Sequence, residues 1–242
     1  MMKRLVDFIC STLGLLILSP IILAAILAVW LQDFKSPFYI APRVGKGGKT
    51  FPMVKLRSMV VNADKSGVDS TSSNDRRITK IGQIIRSYKL DEIMQLWNVF
   101  LGDMSLVGPR PNVEREVALY TDVEKKLIKF RPGITDLASI VFSDEGEILR
   151  DSKDPDIDYH QLIRPWKSQL ALIGVENPSI LLDCKIIFLT LLSVVSRESA
   201  LIQVNKILIG LNANEQLLTM ARRQTGLLRS PPPGATEIVT SR

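Results

Sequence analysis

The hydrophobic pattern of this chain is most uneven at its start. Leu5 to Leu31 is almost wholly apolar, interrupted only by Asp7, Ser11, Thr12, Gly14 and the pair Ser19-Pro20. A straight helix over that stretch would be about 40 Å long, more than the ~30 Å hydrocarbon core of a bilayer requires. It also exceeds the ~7–15 apolar residues of a cleaved leader, and no small-x-small cleavage site precedes Asp33. Lys3 and Arg4 come before the run, and Lys35, Arg43, Lys46 and Lys49 follow it, so both flanks ask for the cytoplasmic side. Pro20 removes a backbone donor and crowds the preceding turn, which predicts a bend with the Ser19 hydroxyl available to the freed carbonyl. A spanning helix and a re-entrant helix-break-helix both stay open on this pattern, and the flanks favour the re-entrant form.

Beyond residue 35 the period shortens and then lengthens. Phe38–Ile40 and Phe51–Leu56 read as strands, with Gly45 to Lys49 as the hairpin turn. Gly48-Lys49-Thr50 imitates the end of a phosphate-binding loop, but Arg43 stands where that loop needs its first Gly, so the turn reading holds. Asn62 to Asn74, rich in Ser, Asp and Gly, is expected to be a mobile loop. Ile78–Ser87 reads as a helix. Leu90, Ile93, Met94, Trp97 and Phe100 predict a second one, stopped by Gly102. Val113–Phe130 is expected as one amphipathic helix ended by Arg131-Pro132-Gly133. Asp144–Asp158 is expected as a solvated acidic loop, and Tyr159–Leu172 as a helix. Ile180–Val195 is very apolar, yet Asp183, Thr190, Ser193 and Arg197 form a polar stripe. That suits a helix lying in a membrane interface, with a buried core helix as the alternative. Ala200–Leu211 is a further helix, and from Arg222 the Pro-rich tail is expected to be disordered.

Composition narrows the chemistry. The chain has 242 residues, 46% hydrophobic and 23% charged, enough for a packed core. A net charge of +6 favours phosphate-bearing partners or an anionic membrane surface, whereas 6% aromatic residues behind an apolar leader suit nucleic-acid binding poorly. Two cysteines, Cys10 and Cys184, exclude a disulfide framework and are expected to be buried thiols. The single histidine, His160, excludes a His-based zinc cluster and argues against a Ser-His-Asp hydrolase. Carboxylates, Arg and Lys are left to do whatever chemistry occurs.

Those groups are densest from Arg86 to Pro111. Asp91 and Glu92 sit at a predicted helix start, where neighbouring positions point about 100° apart and can approach one site from two sides. Arg86, Lys89 and Arg110 supply cations nearby, and one carboxylate with substrate phosphates is the usual setting for Mg²⁺. Val107-Gly108-Pro109-Arg110-Pro111 is a stiff turn that would hold its Arg for bidentate phosphate contact. On residue types alone, two carboxylates that merely decorate a helix terminus are the favoured reading.

The ordered set of motifs resembles the bacterial sugar transferase family, the monotopic phosphoglycosyl transferases. The matching pieces are Lys3-Arg4-x-x-Asp7, Ser19-Pro20, Lys55-Leu-Arg57-Ser-Met59, Leu90-Asp91-Glu92, Gly102-Asp-Met-Ser105, Val107-Gly-Pro-Arg-Pro111 and Arg131-Pro-Gly-Ile-Thr135. Leu182-Asp183-x-Lys185-Ile186 extends them. The resemblance implies a mainly α fold with a small β-hairpin, anchored by a re-entrant helix broken at Ser19-Pro20 and by interfacial helices. Residues 1–34 would be the membrane helix, 35–212 a catalytic domain on the cytoplasmic face of the bacterial inner membrane, and 213–242 a partly disordered tail. The resemblance also implies transfer of a sugar 1-phosphate from a UDP-sugar to polyprenol phosphate, with release of UMP and Mg²⁺ as cofactor. Asp91 would be the nucleophile and metal ligand, and Glu92 its partner in the dyad. Arg110 would clamp phosphate, with Lys55, Arg57, Arg86 and Arg131 as helpers. A homodimer is among the expected assemblies, and the multi-spanning region of some larger relatives is not expected. The chain departs from the family pattern where Asp136 replaces a common Gly, and where Ser143-Asp144-Glu145-Gly146-Glu147 stands in place of a Gly-Arg-Asn stretch. These departures leave donor identity open.

Overall fold

In the computed structural model the described residues are 2–63 and 71–240, so the central part of the expected 62–74 loop lies outside them. The apolar run is α1 (Met2–Asp33). A hairpin follows, β1 (Phe38–Val44) and β2 (Thr50–Leu56), then α2 (Lys80–Ser87) and α3 (Gln95–Leu101). Next come β3 (Ser105–Val107), α4 (Glu114–Ala118), β4 (Gly133–Thr135) and α5 (Leu137–Val141). The chain continues through α6 (Glu145–Ile148), α7 (Pro155–Asp158), α8 (Arg164–Glu176), α9 (Ile180–Val195), α10 (Arg197–Gly210) and α11 (Glu215–Ala221). The chain is thus mainly helical with a small hairpin, as its pattern predicts.

Pro20 lies inside α1, which is assigned as one helix from end to end rather than as two helices around a non-helical break. The reason is local. Proline withholds the N–H that the Leu16 carbonyl would accept, and Ser19 Oγ donates to that same oxygen at 2.7 Å. Asp7, Ser11, Ile22 and Val29 are buried along one stripe of α1, whereas Leu16, Ile17 and Leu23 are exposed. Both ends of the helix are tied to the same body. Arg4 donates to the carbonyls of Val99 (2.5 Å) and Phe100 (2.7 Å), a cation capping the C-terminal end of α3. At the other end Asp33 accepts from Arg57 at 2.6 and 2.7 Å.

Asp7 makes the most buried of these ties. It accepts from Ser105 Oγ (3.0 and 2.8 Å) and from the Leu106 amide (3.0 Å), fastening α1 to β3. Asp7→Ala strands a buried hydroxyl and an amide, and is expected to cost about 2 kcal/mol. A melting temperature in detergent, lowered for Asp7→Ala and largely restored for Asp7→Asn, checks it.

The main core gathers α5, α8, α9, α10 and α11 around Leu137, Trp166, Leu170, Val204, Leu208 and Leu217. The expected helix over 113–130 is cut in two by a capping box. Thr121 Oγ1 accepts from the Glu124 amide (3.1 Å) while Glu124 accepts from the Thr121 amide (3.0 Å), starting a fresh 3₁₀ turn at Glu124–Lys129. Glu124 is fully buried, and Arg164 (2.6 and 3.1 Å) and Ser168 (2.7 Å) compensate its charge.

Three other expectations are corrected. The acidic stretch 144–158 forms short helices whose carboxylates are paired. Asp144 bridges Arg197 and Arg223, each at 2.9 Å, and Glu145 meets Lys167. Residues 213–240 pack on the body. They supply α11, and beyond it Leu228 O accepts from Trp166 (3.0 Å), Val239 O from Gln161 (2.6 Å) and Pro233 O from Thr121 (2.5 Å). A Pro-rich segment has unpaired carbonyls, and here donors from the body take them up. Cys10 and Cys184 are exposed rather than buried, because they lie on the outer faces of α1 and α9. Those helices also expose Leu13, Ile17, Leu181, Phe188 and Leu191, an apolar surface larger than scattered single residues would give. Lys3 pairs with Asp183 at 2.6 Å and joins the two helices.

Candidate active site

The expected helix from Leu90 begins one turn late. Lys89, left-handed at φ 54°, ends α2, and Leu90–Glu92 forms a single 3₁₀ turn before α3 starts at Gln95. That turn faces Lys55 near the end of β2. From the other side comes Arg110, carried by the turn after β3. Its position depends on a very close backbone approach. A Cβ on Gly133 would lie 2.1 Å from the Gly108 nitrogen, and one on Gly108 would lie 2.5 Å from the Arg131 oxygen. Only glycine at both positions lets β3 and β4 pair in parallel here, with the Gly133 amide donating to Pro109 O at 3.0 Å.

Arg110 grips Glu92 with both terminal nitrogens. One donates to Oε1, the other to Oε2 at 3.3 Å, and Lys55 Nζ stands 3.8 Å from Oε1. Burial alone would raise the Glu92 pKa, but Arg110 and Lys55 outweigh it and hold the carboxyl at about 2. Asp91 behaves oppositely. It has no hydrogen bond or ion pair among the described residues. Burial, reinforced by the charge of Glu92, raises its pKa despite the opposing pull of Lys55, Arg86 and Arg110. Burial likewise lowers Lys55 and Lys89, which Glu92 partly offsets. Two adjacent carboxylates driven apart in this way can take different chemical roles: one a fixed counter-ion, the other a reactive group.

Of the residues singled out in the sequence, Asp91, Glu92, Lys55 and Arg110 come together. Arg86, in the last turn of α2, is near enough for its charge to act on Asp91. Arg57 goes elsewhere. It is buried, and it donates to Asp33 and to the Ser36 carbonyl (2.7 Å), fastening the end of α1. Arg131 is half-buried beside the Gly108–Gly133 approach, with neither carboxylate among its partners. Arg43 was read only as a flanking charge, yet its charge acts on Arg110 and Lys55. The hairpin alternation could have signalled this, because Arg43, Ala41 and Tyr39 pair with Phe51, Met53 and Lys55 and share their face.

Behind Arg110 an open cleft with a cavity volume of about 60 Å³ runs between the hairpin turn, Tyr120, α5 and α8. Among the described residues no group of three or more Asp, Glu, His or Cys is placed to cage a metal ion. The unbonded carboxylate of Asp91 is a donor set that fits Mg²⁺ only when substrate phosphates complete the shell.

The family model for the bacterial sugar transferases matches residues 1–197. A UDP-glucose:undecaprenyl-phosphate glucose-1-phosphate transferase of Klebsiella pneumoniae is 37% identical over 203 residues, covering 82% of this chain and 41% of that protein. A protein of the same description from Caulobacter vibrioides is 34% identical over 186 residues, 74% of this chain and 69% of its own length. The undecaprenyl-phosphate galactose phosphotransferase of Salmonella typhimurium is 34% identical over 214 residues, 82% of this chain and 41% of that protein. The chain therefore spans about two fifths of several curated relatives. By the extent of the family match and the identity of these relatives, the chain belongs to the bacterial sugar transferase family.

Proposed function

We propose that the protein transfers a sugar 1-phosphate from a UDP-sugar to polyprenol phosphate, releases UMP and so starts the assembly of a lipid-linked glycan. One observation carries this reading. Asp91 is a half-buried carboxylate with no hydrogen bond or ion pair among the described residues, set among Lys55, Arg86 and Arg110, while its neighbour Glu92 is bound at both oxygens.

In the first step an Asp91 oxygen attacks the sugar-side phosphorus of the donor. The bond from that phosphorus to the bridging oxygen breaks, and UMP leaves with the electron pair. In the second step an oxygen of polyprenol phosphate attacks the same phosphorus, and the Asp91 carboxylate is regenerated. Arg110 and Lys55 stabilise charge on the transferring phosphoryl oxygens. Glu92 holds both cations in place before substrate arrives, so no reorientation is needed during reaction. Mg²⁺, held by Asp91 and the donor phosphates, would neutralise diphosphate charge.

The membrane supplies the acceptor. The two tethered ends of α1, its exposed middle and the outer face of α9 support a re-entrant pose with the site at the cytoplasmic lipid boundary. Both basic flanks of the run support the same side.

The test uses the full chain in detergent micelles with undecaprenyl phosphate and a panel of UDP-glucose, UDP-galactose and UDP-N-acetylgalactosamine. UMP release that needs a divalent cation, together with a lipid diphosphosugar product, is the expected result. Intact-mass spectrometry of enzyme given donor alone should show the added mass of one sugar phosphate. UMP release without the lipid product would instead mean hydrolysis, and would overturn the transferase reading.

A further inference from the structure

The cleft behind Arg110 is lined by Arg110 but by neither Asp91 nor Glu92, and its wall includes the charged side chains of Asp136 and Lys167. Asp136 is only 6% exposed. One of its oxygens, Oδ1, accepts from the Ser139 amide and the Ser139 hydroxyl, both at 2.7 Å, and caps α5. Its other oxygen makes no hydrogen bond among the described residues and is not sealed from solvent, and Asp136 is one of the residues that line the cleft. Lys167 lines the same wall and is tied to Glu145. Its ammonium sits 5.5 Å from the centre of the Tyr159 ring. Burial raises the Asp136 pKa, and the hydrogen bonds from Ser139 and the charges of Lys167 and Arg110 offset this only in part. Both stretches where the motif pattern is broken in the sequence, Asp136 and Ser143–Glu147, thus converge on Lys167, on the far side of Arg110 from Asp91.

A carboxylate oxygen with no internal donor, lining the same cleft as an ammonium, is an arrangement that can read hydroxyl groups. The carboxylate accepts from one or two adjacent O–H groups and the ammonium donates to a ring or hydroxyl oxygen. Tyrosine rings and the apolar side chains of Leu127 and Ala171 complete a wall suited to the faces of a ring.

We propose that this cleft holds a hydroxyl-bearing ring of the donor, with Asp136 accepting from its hydroxyls and Lys167 donating to its oxygens, and that these two residues set which donor is used. The inference rests on the transferase reading above and adds to it the subsite and the residues that discriminate. The ring is either the transferred sugar or the ribose of the nucleotide, since both present adjacent hydroxyls and both lie within one diphosphate of the reacting phosphorus.

The experiment measures UMP release by the full chain with undecaprenyl phosphate and the best UDP-hexose of the panel. Asp136→Asn keeps an α5 cap, so folding is preserved, but it loses the anionic acceptor. It is expected to raise the donor KM about tenfold or more while lowering kcat at most about threefold, the split of a contact made equally in ground and transition states. Lys167→Met approaches the same ring from the other side and should move KM in the same direction. Donors lacking one hydroxyl then locate the ring. For one of them the penalty seen with the wild type should vanish in Asp136→Asn. Loss of the penalty with 2′-deoxyuridine diphosphate-hexose places the ribose in the cleft, and loss with a deoxyhexose donor places the sugar there. Unchanged donor KM in both variants, with every deoxy penalty retained, overturns the subsite while leaving the transferase reading intact. Absence of UMP release from every UDP-sugar with wild-type enzyme overturns both.

Discussion

Asp91→Asn is expected to lower UMP release by on the order of 10³-fold or more and to abolish the mass adduct, because an amide cannot form the acyl phosphate that the proposed two-step transfer requires. The variant keeps the size of the side chain, and Asp91 has no partner to lose among the described residues, so the fold is not at risk. Stability in fact moves the other way. The raised pKa of Asp91 means that the folded state holds its proton more tightly than the unfolded chain does. Its contribution to stability is therefore full below the ordinary carboxylate range and is lost as pH rises through the folded value. At neutral pH the ionised, partly desolvated group is a burden, and Asp91→Asn should melt at or above the wild-type temperature. A variant that is inactive and no less stable cannot be explained by misfolding. The same shift predicts the acid limb of the wild-type profile. A carboxylate nucleophile must be ionised, so on the proposed mechanism kcat/KM is expected to fall as pH drops through the raised Asp91 value. Lys55→Met removes the strongest opposing cation and should move that limb to higher pH. Full activity of Asp91→Asn, or an unshifted limb in Lys55→Met, would be incompatible with Asp91 as the attacking group.

How much of this was legible depends on how far apart in sequence the determinants lie. The hairpin, α2, α9 and the stop at Gly102 follow from local periodicity and turn chemistry, and the chain forms them where that chemistry says. The short strands β3 and β4 carry no readable period, being three residues each, and they pair only because two glycines 25 positions apart allow their backbones to touch. The break in the 113–130 helix was present in the letters as Thr121-x-x-Glu124, a capping box overridden in the reading by the amphipathic pattern around it. The acidic stretch looked solvated because its partners, Lys167, Arg197 and Arg223, enter from α8, α10 and the end of α11. For the site, the motif residues Asp91, Glu92 and Arg110 lie together in the fold, and Lys55 with them. Arg57 shows the limit of such grouping. Two residues from Lys55 on an extended segment, it shared the motif, but its guanidinium found Asp33, and no local signal favours that carboxylate over Asp91. Asp136 stood out only as a departure from an expected glycine, and its place in the cleft required the fold.

The second large effect belongs to Arg110. Arg110→Met is expected to reduce turnover by about 10²–10³-fold, the usual consequence of removing one preorganised donor from developing phosphoryl charge. Arg110→Lys should recover only part of this, because an ammonium keeps the charge but not the two-pronged grip on Glu92. The pair also makes a prediction for stability. Glu92 is held at about 2 against an ordinary 4.5, so its contribution is present above 4.5 and disappears as pH falls from there towards 2. Both side chains keep partial solvent access, which screens the pair, and the loss in Arg110→Met at neutral pH should be only about 1–2 kcal/mol. Wild type and variant should then converge in melting temperature as the pH is lowered through that window, whereas their activities at neutral pH stay far apart. The two readouts separate the roles of the same guanidinium. If activity fell only as far as 1–2 kcal/mol of destabilisation can explain, Arg110 would be a strut for Glu92 and not a clamp on the transferring phosphate. If activity is lost while most of the protein remains folded, the contact that matters is the one made to substrate. Glu92 is then the group that keeps that arm aimed at the phosphorus which Asp91 attacks.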